Sequence, residues 1–121
     1  MASHQVTADV KAVARGVYQI EWTATVAGSG NEFTGPGLLE KTVQFIGPTT
    51  AGTSSMQLEG NNSRTPSDGD WTILTSPTDG QLIHTATTNL MFLVRETPYH
   101  VRPNFTVVTS GGPVSVILTA R

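Results

Sequence analysis

Period-two alternation of apolar and polar residues is the feature that most constrains how this chain can fold. In the clearest run, Tyr18, Ile20 and Trp22 alternate with Gln19 and Glu21. Successive side chains of a β-strand point to opposite faces of its sheet, so this pattern predicts a strand with one buried face. Shorter alternating runs recur along the chain, and no window of helical length shows a 3.6-residue apolar stripe. The sequence therefore predicts an all-β protein.

Clusters of Gly, Pro, Asn and Asp separate about eight such short strands. Within 121 residues, this arrangement predicts a single-domain antiparallel β-sandwich of jelly-roll-like topology that spans residues 1–121. Residues 1–16 are predicted to form either an extended N-terminal arm or an edge strand. Pro103 predicts a sheet edge or a bulge for its own segment, because proline has no N–H for a central ladder. The apolar stripes predict a core made of Tyr18, Ile20, Trp22, Val43, Phe45, Met56, Leu58, Phe92, Val94, Phe105, Val116 and Leu118.

Composition and charge exclude several classes of protein. The chain has no cysteine, so disulfides, thiolate metal sites and a cysteine nucleophile are excluded. A net charge of −2 is not that of a nucleic-acid-binding protein, which normally carries a basic patch. The first residues show neither the basic nor the apolar region of a signal peptide, and no run approaches the ~18 apolar residues of a membrane span. We therefore expect a small gene product used where it is made, with no nucleic-acid or membrane partner.

Catalytic and metal-binding patterns are not found in the sequence. The three histidines, His4, His84 and His100, are isolated and are predicted to be structural or exposed. The triplet 68–70, Asp-Gly-Asp, resembles part of a calcium loop but lacks the later bidentate Glu. Trp71 follows this acidic turn and is predicted to be half-buried in the core, with a sugar-stacking platform as the alternative. We expect a non-enzymatic protein with no metal and no cofactor.

Motifs in the second part of the chain follow a recognisable order. They are Met-Gln-Leu-Glu-Gly at 56–60, Gly-Asp-Trp-Thr-Ile-Leu at 69–74, the segment 94–103 that contains Pro98, and Gly-Gly at 111–112 before the final strand. With this order, residues 43–121 resemble the head-decoration, or cement, proteins of tailed bacteriophages. The resemblance implies a β-sandwich virion protein that binds the major capsid protein on the capsid surface. It implies the virion as its location, with the host cytoplasm as its location during assembly.

A second interpretation of the sequence belongs to another functional class. A receptor- or glycan-binding β-sandwich of a phage tail or surface protein would have the same fold, and its sign would be a cluster of exposed aromatic residues. Aromatic residues make up only 7% of this chain, which favours the decoration protein.

Two sets of residues are candidates for contact with partners. Phe33, Leu38 and Leu39 lie in a Gly/Pro-rich loop and are predicted to contact the capsid, unless the loop folds back and the two leucines start the next strand. All five residues from 90 to 94 are apolar, although only one face of a strand can reach the core. Met91 and Leu93 are therefore predicted to point outward. Val108 and Ile117 are apolar opposite their own stripes in the same way. We expect Met91, Leu93, Val108 and Ile117 to mediate self-association as a homodimer or homotrimer.

Overall fold

The computed structural model describes residues 5–35, 40–48, 54–63, 65–66, 68–85, 89–108 and 113–121. Leu38 and Leu39 lie outside these ranges, and so does part of the loop that joins them to Phe33. The strands, in chain order, are β1 (Gln5–Val6), β2 (Ala8–Ala14), β3 (Val17–Ala24), β4 (Gly28–Gly30), β5 (Phe33–Thr34), β6 (Lys41–Ile46), β7 (Ser54–Asn61), β8 (Thr72–Ile73), β9 (Thr75–Ser76), β10 (Gly80–Gln81), β11 (Ile83–His84), β12 (Leu90–Leu93), β13 (His100–Val108) and β14 (Val114–Ala120).

Two sheets form the body of the molecule. One is five-stranded, in the order β12-β6-β14-β3-β2, and every neighbouring pair in it is antiparallel. The other follows the order β1-β4-β13-β7-β11, with β5 paired to β13 and β8 paired to β7. β1 and β4 are the parallel exception among the described strands. The predicted fold class, a single-domain antiparallel β-sandwich, is confirmed, although several of the strands are only two residues long and were not separated by the sequence pattern.

The core lies between the two sheets and confirms the predicted strand faces. Ten of the twelve predicted core residues are buried, while Tyr18 and Phe92 are half-buried and pack against the others. Trp22 is fully buried, and its indole Nε1 donates a hydrogen bond of 2.8 Å to the carbonyl oxygen of Asn31. Burial of that polar atom is tolerated because it has this partner.

The N-terminal segment is an edge strand. β2 joins β3 through a two-residue turn, in which Gly16 adopts a φ of 74°, a left-handed conformation that favours glycine. β2 is the last strand of the five-stranded sheet among the described residues, and its side chains Val10 and Val13 are exposed. The short β1 before it pairs with the opposite sheet, so the segment bridges the two layers.

Pro103 predicted a sheet edge or a bulge for its segment; the segment is not a sheet edge, but it does contain a bulge. β13 is central, with β7 on one side and the two short strands β4 and β5 on the other. β5 pairs with the beginning of β13 and β4 pairs from Asn104 onward, so Pro103 lies in the gap between these two partners. A missing N–H is tolerated there because the neighbouring strand is interrupted. The bulge in β13 comes later, between Phe105 and Val107.

Candidate functional site

A row of charged and amide side chains lies on the outer face of the sheet that contains β7 and β13. The register places Arg102 opposite Glu59 and Asn104 opposite Gln57. Their neighbours along both strands belong to the core, so alternation turns these four side chains away from it. The antiparallel register thus brings together residues that are more than forty positions apart in the chain.

Glu59 is the centre of this polar cluster. Its Oε1 accepts a hydrogen bond of 3.0 Å from Arg102 Nε, and its Oε2 accepts bonds from Gln57 Nε2 at 2.6 Å and Asn104 Nδ2 at 3.2 Å. The side chains of Glu59 and Arg102 are only 7% and 9% exposed. A buried ion pair persists when its geometry is good and its other hydrogen bonds are made, and both conditions hold here.

Trp71 covers the cluster from the solvent side. The Arg102 guanidinium carbon lies 4.2 Å from the centre of the Trp71 ring, which is the geometry of a cation–π contact. The ring is half-buried, as predicted, but it packs on this charged surface and not against the hydrophobic core between the sheets. Trp71 therefore helps to exclude water from the buried ion pair.

His100 joins three segments beside the cluster. Its ring is buried, its Nε2–H donates to the Ser63 carbonyl oxygen at 3.0 Å, and its Nδ1 lies 2.7 Å from Thr34 Oγ1. Glu32 places a carboxylate oxygen 3.4 Å from the same Nδ1. The other described histidine, His84, is also buried and stacks on the Phe45 ring at 5.6 Å. Both rings are thus buried and held by contacts within the fold.

A polar cleft of about 490 Å³ opens next to the cluster. It lies where β7 ends, between β8 and the segment after β12. The residues that line it combine amides, carboxylates, a guanidinium, hydroxyls and a small apolar floor: Gly60, Asn61, Asn62, Asp70, Thr72, Ile73, Leu74, Arg95, Glu96, Thr97 and Pro98. Its volume lies within the ~300–1,000 Å³ range of small-molecule sites.

Glu96 is held ionised in the wall of this cleft. Its Oε1 accepts a 2.8 Å hydrogen bond from the Thr75 backbone N–H, and its Oε2 accepts a 2.7 Å bond from the Thr75 hydroxyl. Burial alone would raise the pKa of Glu96, but the bonds from Thr75 and the charge of Arg95 outweigh it, so the pKa lies below its ordinary value. The cleft therefore keeps a carboxylate at neutral pH.

Asn61 leaves a donor unused at the same wall. Its side-chain oxygen accepts a 2.7 Å hydrogen bond from the Ser63 N–H, whereas its Nδ2 is buried without a partner. The residue as a whole is only 6% exposed. A buried donor without an acceptor costs ~1–3 kcal/mol, so this atom would gain from an acceptor brought by a ligand.

A second surface, apolar in character, lies at the opposite sheet. β12 is its last strand next to β6 among the described residues, and it exposes Leu90, Met91 and Leu93, which we call the β12 patch. Met91 and Leu93 are 63% and 61% exposed and point outward as predicted. Leu90 lies on the same face as Phe92, yet it is 45% exposed, because among the described strands β12 has a neighbour on one side only.

A hollow of about 680 Å³ adjoins the β12 patch, and Leu93, Val94 and Lys41 are among the residues that line it. Lys41 is buried, and this burial lowers the pKa of its ammonium group. The apolar surface is thus continuous with a basic, partly enclosed wall.

The four predicted self-association residues do not form one surface. Met91 and Ile117 share the outer face of the five-stranded sheet, separated by Gln44 of β6, and Ile117 is half-buried. Val108 lies in the other sheet, where it is half-buried and packs against the core. Val108 and Ile117 could form one apolar patch only if their strands were neighbours. They are not, because β13 and β14 belong to different sheets.

Of the predicted capsid contacts, only Phe33 is described. It is half-buried, packs against the core, and its ring centre lies 6.3 Å from that of Tyr18. Pairing of β5 with β13 brings the Phe33 ring onto the sandwich and leaves it partly exposed. Leu38 and Leu39 lie outside the described residues.

The described ranges contain neither a candidate metal centre nor a candidate membrane-spanning helix. These residues contain no group of three or more His, Cys, Asp or Glu side chains placed to hold a metal ion. They also contain no helix long and apolar enough to cross a membrane.

Fold and surfaces together define a small antiparallel β-sandwich with a polar cleft on one sheet and an apolar edge on the other. The structure is similar to that of the SPBc2 prophage-derived protein YomS, with a TM-score of 0.61 and 19% sequence identity over 91% of this chain and 98% of that one. A cupin domain from Bordetella pertussis Tohama I gives a TM-score of 0.44 at 15% identity over 99% of this chain and 94% of that one. No family model and no curated protein matches the sequence. The likeness to YomS shows a shared fold.

Sequence reasoning missed the polar cluster and the cleft. Gln57 and Glu59 alternate with the apolar Met56 and Leu58, which looks like an ordinary solvated face. The available signal was the excess of charged and amide residues on the outward positions of both β7 and β13. Only the strand register shows that these residues meet.

Proposed function

We propose that this protein is a non-enzymatic structural component of a tailed-bacteriophage virion that decorates the capsid by binding the major capsid protein. The order of motifs in residues 43–121 supports the proposal, and so does the shared fold with a prophage-derived protein. The observation that carries it is the β12 patch, an exposed apolar strand at the edge of an otherwise well-packed sandwich.

An edge strand of this kind needs a partner. No described strand pairs with the outer side of β12, which also carries large apolar side chains, and natural proteins usually cover or charge such edges. Leu90, Met91 and Leu93 carry no charge, and all three are exposed. We propose that the edge is covered in the virion, by the major capsid protein or by a second copy of this chain.

Self-association through β12 is the form of this contact that the geometry allows most simply. Two copies related by a two-fold axis can pair their β12 strands antiparallel, which joins two five-stranded sheets and buries both β12 patches. A trimer would instead match a three-fold axis of the capsid lattice. Either assembly makes attachment multivalent, so contacts that are weak singly become strong together.

The test of self-association compares Leu93→Asp with Val13→Asp. Both replace an exposed apolar side chain by a carboxylate, but Val13 lies on β2 at the other edge of the same sheet. Light scattering at tens of micromolar is expected to give a dimeric or trimeric wild type, a monomeric Leu93→Asp and an unchanged Val13→Asp. A monomeric wild type would refute self-association in solution, and an oligomer that Leu93→Asp leaves intact would place the interface elsewhere.

Capsid attachment has a separate test at the loop that contains Phe33. We propose that Phe33, with Leu38 and Leu39, contacts the capsid or a neighbouring copy. Phe33→Ser is expected to reduce co-sedimentation with heads. Because Phe33 also packs on Tyr18, the unfolding curve of the Phe33→Ser protein must be measured beside that of the wild type. Undiminished binding by a folded Phe33→Ser protein would exclude Phe33 as a contact.

A further inference from the structure

The polar cleft has a composition that selects among classes of ligand. Asp70 and Glu96 contribute carboxylates, and Arg95 contributes a guanidinium. A simple anion would meet two carboxylates, and a simple cation would meet the guanidinium and find no third acidic ligand among the described residues. An apolar ligand would strip water from the Glu96 carboxylate, which is held ionised. The cleft therefore suits a neutral ligand that both donates and accepts hydrogen bonds.

A hydroxyl group meets this requirement, because it has one O–H donor and two acceptor lone pairs. Each oxygen of Glu96 already accepts one hydrogen bond from Thr75, and the carboxylate also accepts one from its own backbone N–H, which leaves a lone pair for one further ligand O–H. The Arg95 guanidinium is a donor that a ligand oxygen can accept from, whereas Asn61 Nδ2 is shielded from solvent and becomes such a donor when its side chain turns into the cleft. The buried Asn61 nitrogen is the unmet partner in this set.

An aromatic residue follows the cleft wall in the chain, and its ring packs edge-on against the His100 ring with 4.7 Å between the ring centres. Tyr99 follows the cleft residue Pro98, is 45% exposed, and donates its backbone N–H at 2.8 Å to Asn62 Oδ1, another residue of the wall. An exposed ring beside hydrogen-bonding groups offers an apolar surface to the C–H face of a polyhydroxylated ring. Hydroxyl-rich ligands with such a face are saccharides.

We propose that this cleft is a saccharide-binding site, with Asp70, Glu96 and Arg95 as the hydrogen-bonding groups and Asn61 as an additional donor. The site is formed by one chain and shares Arg95 with the hollow beside the β12 patch, but none of the three patch residues lines the cleft. It is therefore independent of decoration, and its failure would leave the proposed function untouched.

The experiment uses two variants of opposite charge in the full chain. Asp70→Asn removes an acceptor charge and Arg95→Gln removes a donor charge, and their controls are Asp9→Asn and Arg15→Gln, which change exposed residues of the β2 region on the other sheet. The probes are glucose, galactose, N-acetylglucosamine and maltose, with calcium chloride and sodium phosphate as the ionic alternatives. Binding is measured from amide chemical shifts in a ¹⁵N-labelled protein, which also show whether each variant is folded.

At least one saccharide is expected to shift the amides of residues that line the cleft, with an affinity weakened about tenfold or more by Asp70→Asn and by Arg95→Gln. The two controls should bind like the wild type. Calcium binding that Asp70→Asn weakens and Arg95→Gln strengthens would overturn the proposal in favour of a cation site. Phosphate binding with the reverse pattern would overturn it in favour of an anion site, and the absence of cleft shifts with all four saccharides would also refute it.

Discussion

Replacing Glu59 with glutamine removes one charge of an ion pair that the fold holds away from water. The substitution keeps the shape of the side chain but puts an amide where Arg102, Gln57 and Asn104 all direct donors. At least one of these donors must then face an N–H₂ group. The Arg102 charge stays on the sheet beneath Trp71 without its carboxylate.

The size of the effect follows from this loss. Removing one partner of a buried ion pair costs ~3–5 kcal/mol, because the other charge remains buried. The contact of Arg102 with the Trp71 ring is present before and after the substitution, so it does not change this figure. We expect Glu59→Gln to lower the free energy of unfolding by about 3 kcal/mol, which for a chain of this size lowers Tm by roughly 10 °C.

Urea unfolding at neutral pH, followed by tryptophan fluorescence, measures this change. Glu40→Gln is the matched control, because Glu40 also accepts from an arginine Nε, that of Arg121, but both side chains are 67% exposed. The control should lose no more than ~1 kcal/mol. Equal, small losses in the two variants would show that Glu59 is solvated in the folded protein and would refute the reasoning about the buried cluster.

Three further changes test the packing and the cleft. Phe105→Ala should cost ~3–5 kcal/mol in a urea titration because the ring is fully buried, and a loss under ~1 kcal/mol would mean that the strand faces are reversed. Gly30→Ala would place a Cβ 2.6 Å from the Pro103 ring, so it should lower stability by ~1–3 kcal/mol, whereas an unchanged Tm would contradict that close approach. The lowered pKa of Glu96 stabilises the fold above about pH 4.3, and this contribution is lost as the pH falls through the folded-state pKa. Glu96→Gln should therefore unfold more easily than the wild type at pH 7 but not at pH 2. An equal loss of stability at both pH values would assign the effect to packing.

Alternation predicted the strand faces well because it is a local property of the backbone. Ile20, Trp22 and Phe45 are all buried as their stripes required, and Met91 and Leu93 point outward as theirs did. These outcomes depend only on the two-residue period of a pleated strand.

Properties that depend on which strands are neighbours could not be read in this way. Leu90 is exposed although it lies on the stripe of Phe92, because no described strand covers the far side of β12. Pro103 is tolerated in a central strand because its second neighbour is split into β4 and β5, and no local signal reports that split.

The polar cluster was hidden for the same reason. Glu59 and Arg102 are each unremarkable as outward residues of their own strands, and the pairing of β7 with β13 alone places them together. The motif around Trp71 was visible in the sequence, but its packing on Arg102 depends on the course of the chain between β7 and β8. Long-range register, which a single sequence does not encode in any local pattern, separates what was predicted from what was not.

Binding of the purified protein to capsids tests the central claim most directly. Heads of the phage that encodes this chain, prepared without it, are mixed with increasing amounts of wild-type protein and sedimented, with Leu93→Asp and Val13→Asp as parallel samples. The proposed function predicts saturable co-sedimentation at a fixed number of copies per capsid protein, and cryo-electron microscopy should show the added density on the outer surface at symmetry-related positions. Wild-type protein that remains in the supernatant at every concentration would contradict the assignment as a decoration protein.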